Sequence, residues 1–170
     1  MSNPPIAPEP MDLDAIRAAV ASGDTTQRVR AIAALRAYEP AECVPLLLEC
    51  LEDEVFLVRS LACMGLGYKR SPEGRAALLT VIELEEDPNV RAEAANSLAR
   101  HGGAQAVQPL LALYERDQHW LVRRSILAAL GTEPGVPDEV LVALAERALA
   151  DGDATLQQIR LEQLLKPDPC

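Results

Sequence analysis

The chain has 170 residues, a formal net charge of −10 and a sequence pI near 4.7. That length allows one ordinary domain with a sizeable core, and the acidity argues against nucleic acid as the main ligand, because phosphate binding relies on a lysine- and arginine-rich surface. No run of the ~18 apolar residues needed to cross a bilayer is present, so no membrane span is expected.

The first ten residues, MSNPPIAPEP, carry four prolines and no hydrophobic stretch. They are expected to form a disordered tail and not a secretion signal, which makes the cytoplasm the default location. From residue 11 a single domain is expected to run to residue 165. Asp12 caps a helix over Leu13 to Val20, whose Leu13, Ile16 and Val20 form one apolar stripe able to cover the end of a stack. Ser22-Gly23 ends it.

A first helical hairpin is expected over Thr25 to Leu51, turning at Tyr38-Glu39-Pro40. A second runs from Val55 to Ile82, turning across Gly67 to Gly74. The third, Asp87 to Tyr114, is the clearest: Asp87-Pro88-Asn89 opens a helix with an N-cap and a first-turn proline. Ala94, Ser97 and Leu98 then recur at helical spacing until His101-Gly102-Gly103 stops the helix, and a second run, Ala106 to Tyr114, follows. In the fourth hairpin Trp120 to Leu130 forms the first helix and Gly131 to Pro137 a loop. Asp138, as N-cap, opens the second helix, which ends at Leu149. A last helix, Thr155 to Leu165, has the polar outer face of a terminal cap, and residues 166–170 form a tail.

The hairpins repeat one another. Leu35, Leu66, Leu98 and Leu130 share one position, separated by 31, 32 and 32 residues. Ala31, Ala62, Ala94 and Ile126 align one turn earlier, and Ala34, Gly65, Ser97 and Ala129 align again. Arg28, Arg59, Arg91 and Arg123 precede this face, with Asp24, Asp53, Asp87 and Asp117 upstream. Helices with apolar faces this broad need neighbours like themselves, and about three repeats suffice for a stable stack. The all-α fold expected is therefore a right-handed α-solenoid of about four hairpins with N- and C-terminal capping helices.

An acidic residue, often Pro, then Val-Arg, an Ala-rich helix, a Gly-containing turn and Val-Pro-Leu-Leu resembles the HEAT repeat. The short period and the abundance of alanine look most like the variant found in phycobilisome lyase-type proteins. The resemblance spans residues 24 to 149. It implies an armadillo-like superhelix and a choice of activities: attachment of bilin pigments to phycobiliproteins, assembly or degradation of light-harvesting complexes, or plain adaptor work. It supplies no catalytic motif to carry onto numbered positions.

In such a stack the turns collect on two edges. Turns between repeats gather Glu52, Asp53, Glu54, Glu85, Glu86, Asp87, Glu115, Asp117, Asp151 and Asp153, an acidic edge. Turns within repeats gather Arg36, Tyr38, Tyr68, Lys69, Arg70, Arg100 and His101, a basic and aromatic edge. Helix electrostatics accounts for the signs, at about 0.3–1 kcal/mol per charge. It does not account for the tyrosines, which with arginine favour binding hot spots. Tyr38, Tyr68, Lys69, Arg70, Arg100 and His101 are thus candidates for contacting a carboxylate-bearing protein surface. His119 and Trp120 are further candidates, although a tryptophan at a helix start is first expected to staple the turn against the preceding helix. Arg59, Arg91 and Arg123 are expected to bridge neighbouring repeats through an Asp or a turn carbonyl.

Catalytic chemistry is not apparent. The chain lacks a glycine-rich phosphate loop, a serine nucleophile elbow and any zinc-ligand spacing, so no catalytic residue, metal or cofactor is expected. Cys43 and Cys50 sit roughly 10 Å apart along one helix, too far to bridge. Cys63 falls on a face that should be buried, and Cys170 is given no role. The expected function is a non-enzymatic binding module that meets a partner protein through its concave face and basic-aromatic edge. That partner's chemistry would extend, on the resemblance, to a light-harvesting or phycobiliprotein component. The alternative is a bilin lyase subunit or phycobilisome assembly factor.

Overall fold

The computed structural model describes residues 11–102, 104–133 and 136–150. Its helices are α1 (Leu13–Val20), α2 (Thr25–Ala34), α3 (Pro40–Glu49), α4 (Phe56–Tyr68), α5 (Pro72–Leu84), α6 (Pro88–His101), α7 (Ala104–Arg116), α8 (Trp120–Thr132) and α9 (Asp138–Ala150). Short 3-10 turns, Leu35–Ala37 and Cys50–Glu52, extend α2 and α3. The expected tails and the helix over 155–165 lie outside the described residues.

Several helices begin where a side chain can satisfy the free N–H groups of a first turn, although α4 starts after Val55 without one. Asp12 accepts from Ala15 N at 2.7 Å, Asp24 from Thr26 N at 2.7 Å, Ser71 from Gly74 N at 2.9 Å and Asp87 from Asn89 N at 2.8 Å. Such caps are each worth about 1 kcal/mol. At α3 the Glu42 carboxylate accepts from the Glu39 N–H instead. Helix α6 ends on Gly102, whose φ of 78° is accessible to glycine at no steric cost.

The first helices of successive hairpins form a file, α2 against α4, α4 against α6 and α6 against α8, while α1 covers the outer face of α2. The second helices touch one another more sparsely. The repeated register is the core of this file: Leu35, Leu66, Leu98 and Leu130 are at most 1 % exposed, and Ala31, Ala62, Ala94 and Ile126 are fully buried. Small residues let the axes approach. A Cβ on Gly67 would stand 2.7 Å from the Ser97 Cβ and 2.9 Å from its Cα, so α4 and α6 meet there almost backbone to backbone. An α-solenoid of helical hairpins is the result, as the period implies.

Three boundaries differ from expectation. Gly67 does not open the second turn; it lies inside α4 because its missing side chain serves the α4–α6 contact, and the turn shrinks to Lys69–Ser71. Gly131 and Thr132 continue α8, with Gly131 buried, instead of starting a loop. Asp138 is a first-turn residue and not the N-cap; the chain enters α9 through Pro137, whose carbonyl accepts from Leu141 N at 3.2 Å.

Candidate functional site

The between-repeat edge is built on a ladder of arginines and acids. Arg28 Nη1 donates to Asp53 Oδ2 at 3.0 Å. The Asp53 carbonyl accepts from Arg59 Nη1 at 2.8 Å, and Arg59 reaches forward to Glu85 through Nε and Nη2 at 2.8 and 2.9 Å. The Glu85 carbonyl then accepts from Arg91 at 3.0 Å, and Arg91 reaches Asp117 at 2.7 and 3.3 Å. Each acid also caps its own loop, accepting from Val55 N, Asp87 N and His119 N. Arg123 lies over the ring of the buried Tyr114, 4.4 Å from its centroid.

The second acid of the ladder is Glu85, not the Asp87 that the sequence register paired with Asp53 and Asp117; Asp87 caps α6. Spacing holds the missed signal, since 53, 85 and 117 are separated by 32 residues each. Burial alone would raise the Glu85 carboxyl, but the Arg59 and Asp87 hydrogen bonds outweigh it and hold the pKa below its ordinary value. Asp117 is likewise held low against burial by Arg91 and the His119 N–H.

The within-repeat edge divides into residues spent on the fold and residues left outward. Tyr38 Oη donates to the Met11 carbonyl at 2.7 Å, tying the start of the domain to the first turn. Lys69 Nζ donates to the carbonyls of Arg36 and Tyr38, thereby fastening the second turn to the first. His101 is half-buried with Nε2 3.0 Å from the Leu66 carbonyl; burial depresses its pKa more than that carbonyl raises it. Arg100 sits 4.7 Å over the Tyr68 ring and lies 3.5 Å from Glu93, whose carboxyl is pushed up by burial. Tyr68, at 66 % exposure, and the exposed Arg36 and Arg70 remain turned to solvent.

Beneath Tyr68 a groove of about 470 Å³ separates α2 from α4. Ile32, Leu35, Leu47, Leu61 and Met64 form its walls, and Arg36, Tyr68 and Lys69 its rim. The groove lies at the C-terminal end of α2. Helix α2 spans 10 residues against 13 in α4 and 14 in α6, so it tightens into a 3-10 turn where its successors are still helical. Gly65, which also lines the groove, puts no side chain there.

His119 and Trp120 lie on the opposite edge, their rings stacked at 6.0 Å. His119 caps α8, accepting from Leu121 N at 3.3 Å. Trp120 is 64 % exposed, so it does not staple the turn as expected: it occupies the first position of α8 with its side chain turned to solvent. Among the described residues no three of His, Cys, Asp and Glu are grouped so as to hold a metal ion. Burial pushes the Cys63 thiol up to about 12 and the Cys50 thiol to about 11, which removes both as nucleophiles near neutrality. No described helix is long and apolar enough to cross a membrane.

Comparison with known families agrees with this geometry. The family model for HEAT repeats matches residues 56–131 and, overlapping them, 85–164. The model for the PBS lyase HEAT-like repeat matches residues 27–53, the first hairpin. No curated protein matches the chain. With the HEAT-repeat matches together covering most of its length, the chain belongs to the HEAT-repeat family.

Proposed function

We propose that the chain is a non-enzymatic scaffold that captures a partner protein through the α2–α4 groove and the basic-aromatic rim above it. One observation carries this reading: an open apolar groove lies directly beneath an exposed tyrosine and arginine, on a chain that is otherwise strongly acidic. HEAT repeats generally mediate protein interaction, and pockets walled by apolar side chains with a few polar groups at the rim suit a peptide or helix. The segment that fits has aliphatic anchors for Leu61 and Met64 and carboxylates for Arg36 and Arg70. Tyr38, Lys69, Arg100 and His101 support the rim through their bonds within the fold, and Tyr68 provides the contact.

The test is a labelled amphipathic helix of leucine and glutamate, followed by fluorescence anisotropy. Replacing Tyr68, Arg36 and Arg70 by alanine leaves Lys69 to hold the turns and should abolish binding without changing helicity. Equal binding by wild type and this variant would overturn the assignment.

The match of the first hairpin to the PBS lyase HEAT-like repeat favours one second reading, in which the same groove belongs to a bilin lyase subunit or a phycobilisome assembly factor. Adding a linear tetrapyrrole and scanning visible absorbance distinguishes the two. A spectral shift abolished by Leu61→Asp supports the pigment reading; an unchanged spectrum, with or without apo-phycobiliprotein, removes it.

A further inference from the structure

We propose that a second trough, between α3 and α5 on the other edge of the stack, docks a basic amphipathic helix of a partner protein. Because the second helices pack sparsely against each other, a hollow of about 640 Å³ is left between them, walled by Leu48, Leu51, Ala77, Val81 and Leu84. Past Leu84 lies a further hollow of about 610 Å³ that ends at Pro88, the first residue of α6. The two share Arg59, Leu84 and Glu85, so they adjoin along the same edge of the stack. Leu84 lines both and is 76 % exposed, the most exposed large hydrophobic residue among those described. A leucine so placed on the last turn of α5 contributes nothing to the core.

Charge selects the occupant. The trough is lined by Glu52, Asp53, Glu85, Glu86 and Asp87 against one cation, Arg59. Arg59 is committed to Glu85 and to the carbonyls of Asp53 and Glu54, and Asp53 to Arg28, so the charge left to attract a ligand is that of Glu52, Glu86 and the α6 cap Asp87. Glu52 and Glu86 are exposed. An acidic segment is therefore repelled here, while lysine or arginine flanking an apolar stripe meets carboxylates on both banks. A helix suits the shape, since the walls are two neighbouring helices and a third can lay its i, i+4 anchors between them. This surface is distinct from the Tyr68 rim and does not depend on it.

The experiment titrates the protein into a labelled helix of ~18 leucine and lysine residues, about five turns, at ~0.15 M salt, and reads anisotropy. Binding should weaken roughly tenfold or more in Leu84→Asp, as loss of a central anchor does. That substitution adds a negative charge, so weaker binding cannot come from electrostatics. Replacing the peptide's leucines by serine, or its lysines by glutamate, should abolish binding, and the Tyr68, Arg36 and Arg70 alanine variant should bind as wild type does. Unchanged affinity of Leu84→Asp, or equal binding of the serine peptide, would overturn the proposal as mere adsorption to an acidic protein. Sedimentation of the protein alone gives the other outcome: a dimer dissociated by Leu84→Asp would assign the trough to a second copy and overturn it as well.

Discussion

Arg59 and Glu85 stand 26 residues apart and meet in a two-pronged pair, Nε to Oε2 at 2.8 Å and Nη2 to Oε1 at 2.9 Å. Both side chains are largely buried, at 18 % and 12 % exposure. Since Nη1 of the same guanidinium also holds the Asp53 carbonyl, one residue ties the loop before its own helix to the loop after its own hairpin. A planar five-donor group can do this and an ammonium cannot. The pair thereby fastens the loops at the two ends of the second hairpin to each other, and both residues line the trough beside Leu84.

Breaking this pair should be costly from either side. Arg59→Ala and Glu85→Ala are each expected to lower stability by about 3 kcal/mol, because each leaves a partly buried charge without its partner. The double variant should lose clearly less than the sum of the two. Urea unfolding of all four chains measures the coupling; strict additivity would show that the two side chains do not act as a unit.

Gly67→Ala raises intrinsic helix propensity by about 1 kcal/mol yet is expected to destabilise. The new methyl would stand 2.7 Å from Ser97 Cβ and 2.9 Å from its Cα, and a backbone atom cannot yield as a side-chain tip does. Forcing α4 from α6 should cost about 1–3 kcal/mol net, the usual range for overpacking. Thermal unfolding decides the sign. A Gly67→Ala chain as stable as wild type would mean that the two helices do not meet at this point.

The stacking register was legible because it rests on side-chain size: Leu66, Leu98 and Leu130 can be aligned by eye, and all three are buried. The role of Gly67 was not, since a glycine missing its side chain for a neighbouring helix reads the same as a glycine opening a turn. Glu85 was masked by Asp87, a better N-cap standing beside Pro88. On the candidate edge, Tyr68 and Arg70 could be placed at a turn from sequence. That Lys69 folds back onto the Arg36 and Tyr38 carbonyls depends on the packing of α4 against α2, which no local pattern encodes. The groove itself is walled by residues from Ile32 to Met64 that meet only when α2, α3 and α4 pack, so no local pattern marks it.

The three described cysteines should be silent in the native state. Cys43, Cys50 and Cys63 are buried, and burial raises each thiol above its ordinary pKa. In a Cys170→Ser chain, a colourimetric thiol reagent at neutral pH is expected to react only after denaturant is added, at the rate of global unfolding. Prompt reaction of one equivalent in native buffer would show that a hairpin opens locally.

Acid should unfold the stack by protonating the ladder. Glu85 and Asp117 have folded pKa values held below their ordinary ones, because the Arg59 and Arg91 hydrogen bonds outweigh burial. A depressed carboxyl contributes stability in full above its unfolded value, about 3.9 for Asp and 4.3 for Glu, and loses it as the pH falls through the folded value. His101 acts in the same direction at higher pH: burial lowers its pKa, so protonation below about 6.5 favours the unfolded chain. Glu93, raised by burial, works the other way and offsets part of this, so the unfolding temperature should decline only gently from neutrality to about pH 5 and steeply below about pH 4. Two variants separate the sources. His101→Gln should flatten the first decline, and a chain carrying Arg59→Gln and Arg91→Gln should start less stable at pH 6 but lose less on reaching pH 3. A parallel loss in this last chain and in wild type would mean that the acid sensitivity lies in carboxylates outside the ladder.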